Sequence, residues 1–355
     1  MQDIIDRSFR KSWPRRARTL AFGSAAATAL ALTVATFRPA QAADPVRVMV
    51  YNGAYTSLPV FVAKDQGIYA KHGLDAALTV VNSGPAGVAA LLGGSLDFVE
   101  VPTDQVIENQ IRGTDLKIVV GNEGLNFYNV IVQMKVTLPH LAEGYPTVMR
   151  DFKGLRIGVN ALGASTHLMM NALLLGAGMR PNDVTYVADG SSTTELAAWQ
   201  AGRVDAQMAF TPFPEIVAAL GSGRAVIDFS RGQGPAVLQK IGGAFEDFST
   251  KGSYIAAHPD IVLNFIAAQQ AAIAWMKDKA NRQKLVEEVK KHVDVAIIPP
   301  AKRNETVALM IDNYSRYLDP HVDRGAIEAW NKYLLENKLI PHAVPASEVI
   351  WKGAP

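Results

Sequence analysis

The stretch "AALLGGSLDFVEVPT" at residues 89–103 can be laid without a gap over "AAWQAGRVDAQMAFT" at 197–211, 108 residues further on. Gly94 then meets Gly202, Asp97 meets Asp205 and Thr103 meets Thr211. At the same offset Asn52, which follows a first apolar run, meets Asn160 after "RIGV". "LTVVNSG" (78–84) resembles "VTYVADG" (184–190) at nearly the same spacing. A unit repeated over this distance is long enough to hold strands and helices of its own. The chain is therefore expected to fold as two similar lobes.

Within each copy, short β-branched runs alternate with helical patterns. Val46–Tyr51 reads as a strand, Asn52–Ser57 as a polar loop and Pro59–Gln66 as a short helix. Ala76–Val81 is the next strand, and Pro85 opens a helix near its first turn. Asp97–Val101 and Lys117–Gly121 read as further strands. This alternation predicts an α/β fold in which each lobe is a mainly parallel sheet flanked by helices. Thr137–Lys153, bearing proline and glycine, suits either a connection between the lobes or an insertion. After Ser230 the alternation stops. A long helical pattern covers 258–278, and others follow around Gln283–Val293, Ala301–Tyr317 and Arg324–Asn337. These helices are expected to pack back on the first lobe. The expected division is 43–130 plus 235–355 for the first lobe and 131–234 for the second.

The first 42 residues are different in kind. Six cations between Arg7 and Arg18 precede an uncharged Ala/Leu-rich run, Thr19–Phe37, which ends at Pro39-Ala40-Gln41-Ala42. A basic segment, an apolar segment and an A-x-A site predict an export signal cleaved after Ala42. Retention of the run as a membrane anchor is the alternative. Arg15-Arg16 leaves the twin-arginine route open beside the general one. Subtracting the seven basic and two acidic residues of this segment from totals of 35 and 33 leaves 28 and 31, a net charge of −3. That balance gives no basic face for nucleic acid. With no cysteine in 355 residues, disulfides and thiolate metal sites are excluded.

The stretch "SLPVFVAKDQGIYAKHGLDAALTVVNSG" (57–84) resembles the substrate-binding proteins of ABC transporters for nitrate, sulfonates, taurine and thiamine precursors. Those proteins tend to carry a Leu-Pro, a helix ending in Ala-Lys-x-x-Gly-aromatic, and a Gly-Leu-acidic turn into a strand. "DFKGLRIGV" (151–159), "GAGMRPNDVTYV", "AGRVDAQMA" and "HPDIVLNFIAAQQAAIAWM" resemble further segments of the same family. The resemblance covers most of residues 46–278. It implies a two-lobed periplasmic-binding-protein fold of the type II kind with a ligand cleft between the lobes. It also implies a periplasmic location, delivery to ABC permease subunits in the inner membrane, and no cofactor. A monomer is expected. Within this pattern "GIYAKHGLD" is scaffold: Gly67 stops a helix and Gly73 turns the chain into a strand.

In open parallel sheets, ligands bind beyond the carboxyl ends of the strands. The first lobe then offers Tyr51, Asn52, Tyr55, Thr56, Ser83, Gly84 and Thr103, with Phe127 and Tyr128. The second offers Asn160, Ala164, Ser165, Thr166, Asp189 with Gly190, and Thr211. Ser165 and Thr166 begin a helix after Gly163, where backbone N–H groups favour an anion or where a hydroxyl simply caps the helix. None of these loops carries Arg or Lys, which ranks nitrate and sulfate below organic solutes. Asp104, Glu123 and Asp189 are placed to accept an amine, and Tyr51, Tyr55, Phe127, Tyr128 and Phe210 to stack on a ring or cover a cation. A sulfonate such as taurine, a carboxylate and a pyrimidine all stay open. Enzyme signatures are missing: no G-x-S-x-G elbow occurs, and the seven histidines lack metal-ligand spacing. The alternatives to transport are an exported sensory module of the same fold and, more remotely, an enzyme akin to those that build the thiamine pyrimidine.

Overall fold

The computed structural model describes residues 42–51, 53–190, 193–242 and 246–355. The expected export signal therefore lies outside the described residues, apart from Ala42, as does Asn52. Along the chain come β1 (Asp44–Val50), α1 (Leu58–Asp65), α2 (Ile68–Lys71), β2 (Leu74–Val80), α3 (Gly84–Leu92), β3 (Val99–Val101), α4 (Thr103–Ile111) and β4 (Leu116–Gly121). A second series follows with β5 (Asn129–Gln133), β6 (Arg156–Val159), α5 (Ser165–Gly176), β7 (Thr185–Ala188) and α6 (Thr193–Gln200). It continues through β8 (Ala206–Ala209), α7 (Phe213–Ala219), β9 (Gly223–Asp228) and α8 (Ala236–Lys240). The chain ends with β10 (Asp247–Lys251), α9 (Gly252–Ala257), α10 (Pro259–Lys277), α11 (Arg282–His292), α12 (Pro300–Tyr317), α13 (Arg324–Glu336) and α14 (Ala346–Val349).

The strands form two sets with the same order. In the first, β1 pairs in parallel with β2, and β10 runs antiparallel between β3 and β4. A parallel bridge from Val48 to Phe98 joins these two strips, giving the order β2-β1-β3-β10-β4. In the second the order is β7-β6-β8-β5-β9, with β5 the reversed strand. Each sheet is thus parallel but for its fourth strand, and in each case that strand lies next to a segment that passes between the sheets.

The repeat in the sequence has a physical basis in this arrangement. Asp97 accepts the backbone N–H of Arg47 at 2.8 Å and its guanidinium at 2.9 and 2.6 Å. Asp205 treats Arg156 in the same way, at 3.0, 2.9 and 2.7 Å. In both copies the aspartate just before the third strand across the sheet clasps the arginine of the second strand, β1 in one set and β6 in the other. The bidentate fork fixes how those strands lie.

Of the two alternatives for Thr137–Lys153, the structure gives the insertion: it follows β5 and leads into β6 through two short 3-10 turns. The first passage between sheets is at residues 122–128, between β4 and β5, where Asn122, Glu123 and Asn126 are buried. One expectation needs correcting: the helical tail does not rest on the first sheet alone. α10 and α11 pack on α1 and α14 on β4, but α12 packs on α7 of the second series. There Asn313 donates to Glu215 at 2.9 Å and the Lys302 ammonium donates to the Ala219 carbonyl at 2.9 Å.

Candidate ligand cleft

Loops beyond β1, β2, β3, β6 and β8 meet the segments leading into β5 and β10 around a narrow, nearly closed cleft with a free volume of about 20 Å³. From the first sheet come Tyr51, Ser83, Gly84, Pro85, Pro102, Gln105 and Glu246. From the second come Tyr128, Asn160, Ala164, Ser165, Thr166 and Phe210. Tyr128 and Phe210 meet edge to face at 5.3 Å, and Phe127 stacks behind Tyr128 at 4.6 Å. The lining contains no Arg and no Lys.

Eight of the expected residues come together here: Tyr51, Ser83, Gly84, Tyr128, Asn160, Ala164, Ser165 and Thr166. Six others lie behind the wall. The Tyr55 ring is fully buried against Tyr314. The Thr56 carbonyl accepts from Asn122 at 2.8 Å, and the Thr103 hydroxyl donates to Asp247 at 3.1 Å. Phe127 backs Tyr128, Asp189 accepts from Gln207 at 3.2 Å, and the Thr211 hydroxyl donates to Glu215 at 3.1 Å. Thr103 and Thr211 align in the sequence and both serve as braces to a buried carboxylate. Asn52 lies outside the described residues. Gln105, Pro85, Pro102 and Glu246 are not among the expected residues; Glu246 sits in a stretch that matches none of the family segments, and its one signal is the acidic pair Glu246-Asp247 at the start of β10.

The two hydroxyls at the start of α5 act differently from each other. Neither caps its own helix, whose N-cap is Ala164. Thr166 accepts the Asn160 N–H at 3.1 Å and so closes its own loop. Ser165 reaches across the cleft and donates to the Asp104 carboxylate at 2.6 Å. Gln105 also crosses, donating to the Gly163 carbonyl at 3.3 Å. The helix end expected to favour an anion is therefore occupied by a carboxylate of the protein itself.

Asp104 is one of five buried carboxylates at this end of the first sheet. Glu100 accepts from Ser57 at 2.7 Å and from Asn122 at 3.2 Å, and burial pushes its pKa up to about 7. Asp247 is pushed up to about 8 by burial. Glu123 accepts from Tyr314 at 2.6 Å, and burial followed by the nearby Glu100 raises it well above the carboxylate range. Asp104 is raised by burial against the hydrogen bonds of Ser165 and Gln105. Glu246 is raised well above the usual range, first by burial and then by Glu100, Glu123, Asp104 and Asp247. One oxygen each of Glu123, Glu246 and Asp247 has no hydrogen-bond partner among the described residues.

Two similarly ordered sheets with a cleft lined from both define the periplasmic-binding-protein fold, and solved structures bear this out. The chain is similar to the alkanesulfonate-binding protein SsuA from Xanthomonas axonopodis pv. citri bound to MOPS. That likeness has a TM-score of 0.68 at 20% identity, over 88% of this chain and 99% of that one. It is also similar to the periplasmic nitrate-binding protein NrtA from Synechocystis PCC 6803, with a TM-score of 0.63 at 12% identity, over 84% and 83%. Residues 42–290 match the NMT1-like family, and the chain belongs to that family. In sequence it is 31% identical over 183 residues to a Brucella abortus protein named only as a candidate binding protein. That match spans 50% of this chain and about half the length, 53%, of the relative. Among the described residues no helix is long and apolar enough to cross a membrane.

Proposed function

We propose that this chain is the exported solute-binding component of an ABC importer, with no catalytic role of its own. It captures a small organic solute by closure of two lobes, 43–130 with 235–355 against 131–234, in the periplasm after removal of residues 1–42. The closed form then docks as a monomer on membrane permease subunits. The observation that carries this reading is the cleft lined from both sheets and crossed by the Ser165–Asp104 and Gln105–Gly163 hydrogen bonds. A solute touching both walls stabilises the closed form by its differential affinity for it. Family membership and the binding proteins among the structural neighbours support the same reading.

The test is a thermal-shift screen of the mature chain against amines, amino acids, sulfonates, carboxylates, nitrate and pyrimidines. A native-state ligand at a hundred times its Kd adds about 2.7 kcal/mol, a rise in Tm of about 5 °C or more for a chain of this size. In Ser165→Ala the closed form loses a charge-assisted bond, and affinity for the solute so found is expected to fall about tenfold or more. Unaltered affinity in Ser165→Ala would show that the crossing bond plays no part in closure. A screen with no shift, on protein from which no small molecule can be extracted, would contradict solute binding altogether.

A further inference from the structure

We infer that the solute taken by this cleft is a small organic cation with N–H donors, an ammonium or amidinium group, seated between the Glu246 carboxylate and the rings of Tyr51, Tyr128 and Phe210. The inference rests on the solute-binding reading above and names its chemistry. Glu246 borders the cleft, is only 3% exposed, and has an oxygen with no partner among the described residues. A buried carboxylate left in that state is costly unless something supplies a donor or a positive charge. Among the described residues the charges that act on it are Glu100, Asp104, Glu123 and Asp247, all of its own sign.

An anion entering here would meet this field with no arginine or lysine in the wall to offset it. The N-terminus of α5, where an anion was expected to sit, already faces Asp104 through Ser165. A cation instead completes the site. It gives Glu246 its missing donor, reduces the mutual repulsion of the five carboxylates, and places its charge over aromatic faces. An amidinium additionally matches a carboxylate with two parallel N–H bonds. With about 20 Å³ free between its walls, the cleft must open to admit a solute, and only a small one fits between Glu246 and the three rings.

The test uses Glu246→Gln, which keeps shape and removes charge, with two readouts of opposite sign. In ligand-free protein at alkaline pH, where Glu246 gives up its proton among like-charged neighbours, the substitution removes that cost, so Tm there is expected to rise by a few degrees. In calorimetry against putrescine, agmatine and benzamidine beside ethanesulfonate, nitrate and acetate, a cation is expected to bind at least tenfold tighter than any anion. Glu246→Gln is expected to weaken that cation tenfold or more. If the variant does not fold, Phe210→Leu takes its place, and affinity for the cation is expected to fall with the loss of the ring face. Binding of ethanesulfonate or nitrate with the cations silent overturns the inference while leaving solute binding standing. So does a lowered Tm in Glu246→Gln with affinity unaltered. If every probe is silent, mass spectrometry of natively purified protein decides. A bound molecule with a basic nitrogen supports the inference, and one without it overturns the inference alone. No bound molecule overturns the solute-binding reading as well.

Discussion

Phe265→Ala is expected to cost about 3–5 kcal/mol of folding stability, the range for emptying a large aromatic from a packed core. Phe265 lies on α10 and is fully buried. Its ring stacks on Phe98 at 3.8 Å, meets the edge of Phe248 at 5.5 Å and lies over Tyr69 at 6.1 Å. One turn further on, Gln269 donates to the Tyr69 hydroxyl. These partners come from α2, from the residue before β3, and from β10, so one side chain fixes the long helix to three parts of the first sheet. Leu263, two residues away on the same helix, is 49% exposed, and Leu263→Ala should stay within about 0.5 kcal/mol. Urea unfolding followed by circular dichroism separates the two. A loss below 1 kcal/mol in Phe265→Ala would mean that α10 is not anchored as described.

The ligand-free protein is expected to become more stable as pH falls from 8 to 6. Glu100 and Asp189 are pushed up to about 7 and Asp247 to about 8, in each case first by burial. In the unfolded chain these groups titrate near 4. Between those limits the folded form holds protons that the unfolded form has released, so stability falls as pH rises through 6 to 8 and recovers as pH is lowered. Three such groups amount to about 5 kcal/mol over these two pH units, or some 5–10 °C in Tm. The carboxylates held low by cationic partners or hydrogen bonds, such as Asp183 and Asp205, lose their contribution only at more acid pH and do not mask the trend. A Tm that is flat or falls from pH 8 to 6 would show that the buried acids are ionised and paired in some other way.

Much of the architecture is legible in the sequence because it repeats. The Gly-x-x-Asp segments at 94–97 and 202–205 align, and the structure gives the reason: each aspartate must hold an arginine on a neighbouring strand. The reversed strands β5 and β10 are not legible, since alternation of side chains carries no sign of strand direction. The expected lobe boundary at 130/131 falls just after the passage between the sheets, but the character of that passage is not legible. Thr137–Lys153 has the prolines and glycines that suit a connection or an insertion, whereas residues 122–128 are a buried polar segment whose Asn122 bonds Thr56, Glu100 and Glu123. In the cleft, loop positions after strands are readable, but partners are not. Ser165 finds Asp104 from 61 residues away, and Glu246 arrives on a strand that joins the first sheet only after the chain has built the second. Thr103 and Thr211 were expected at the ligand because they follow strands; the structure turns both toward buried carboxylates behind the wall.

Closure over a solute shortens the distance between the two walls of the cleft, and that distance can be measured. The chain has no cysteine, so Ala89→Cys on α3 and Leu162→Cys in the loop before α5, both exposed, can carry a pair of spin labels without competing sites. Double electron–electron resonance is then recorded without solute and at saturation with the solute found by calorimetry. A broad distribution that includes longer distances is expected in the free protein, and a single short distance when the solute is bound. One narrow distance, the same with and without bound solute, would contradict closure.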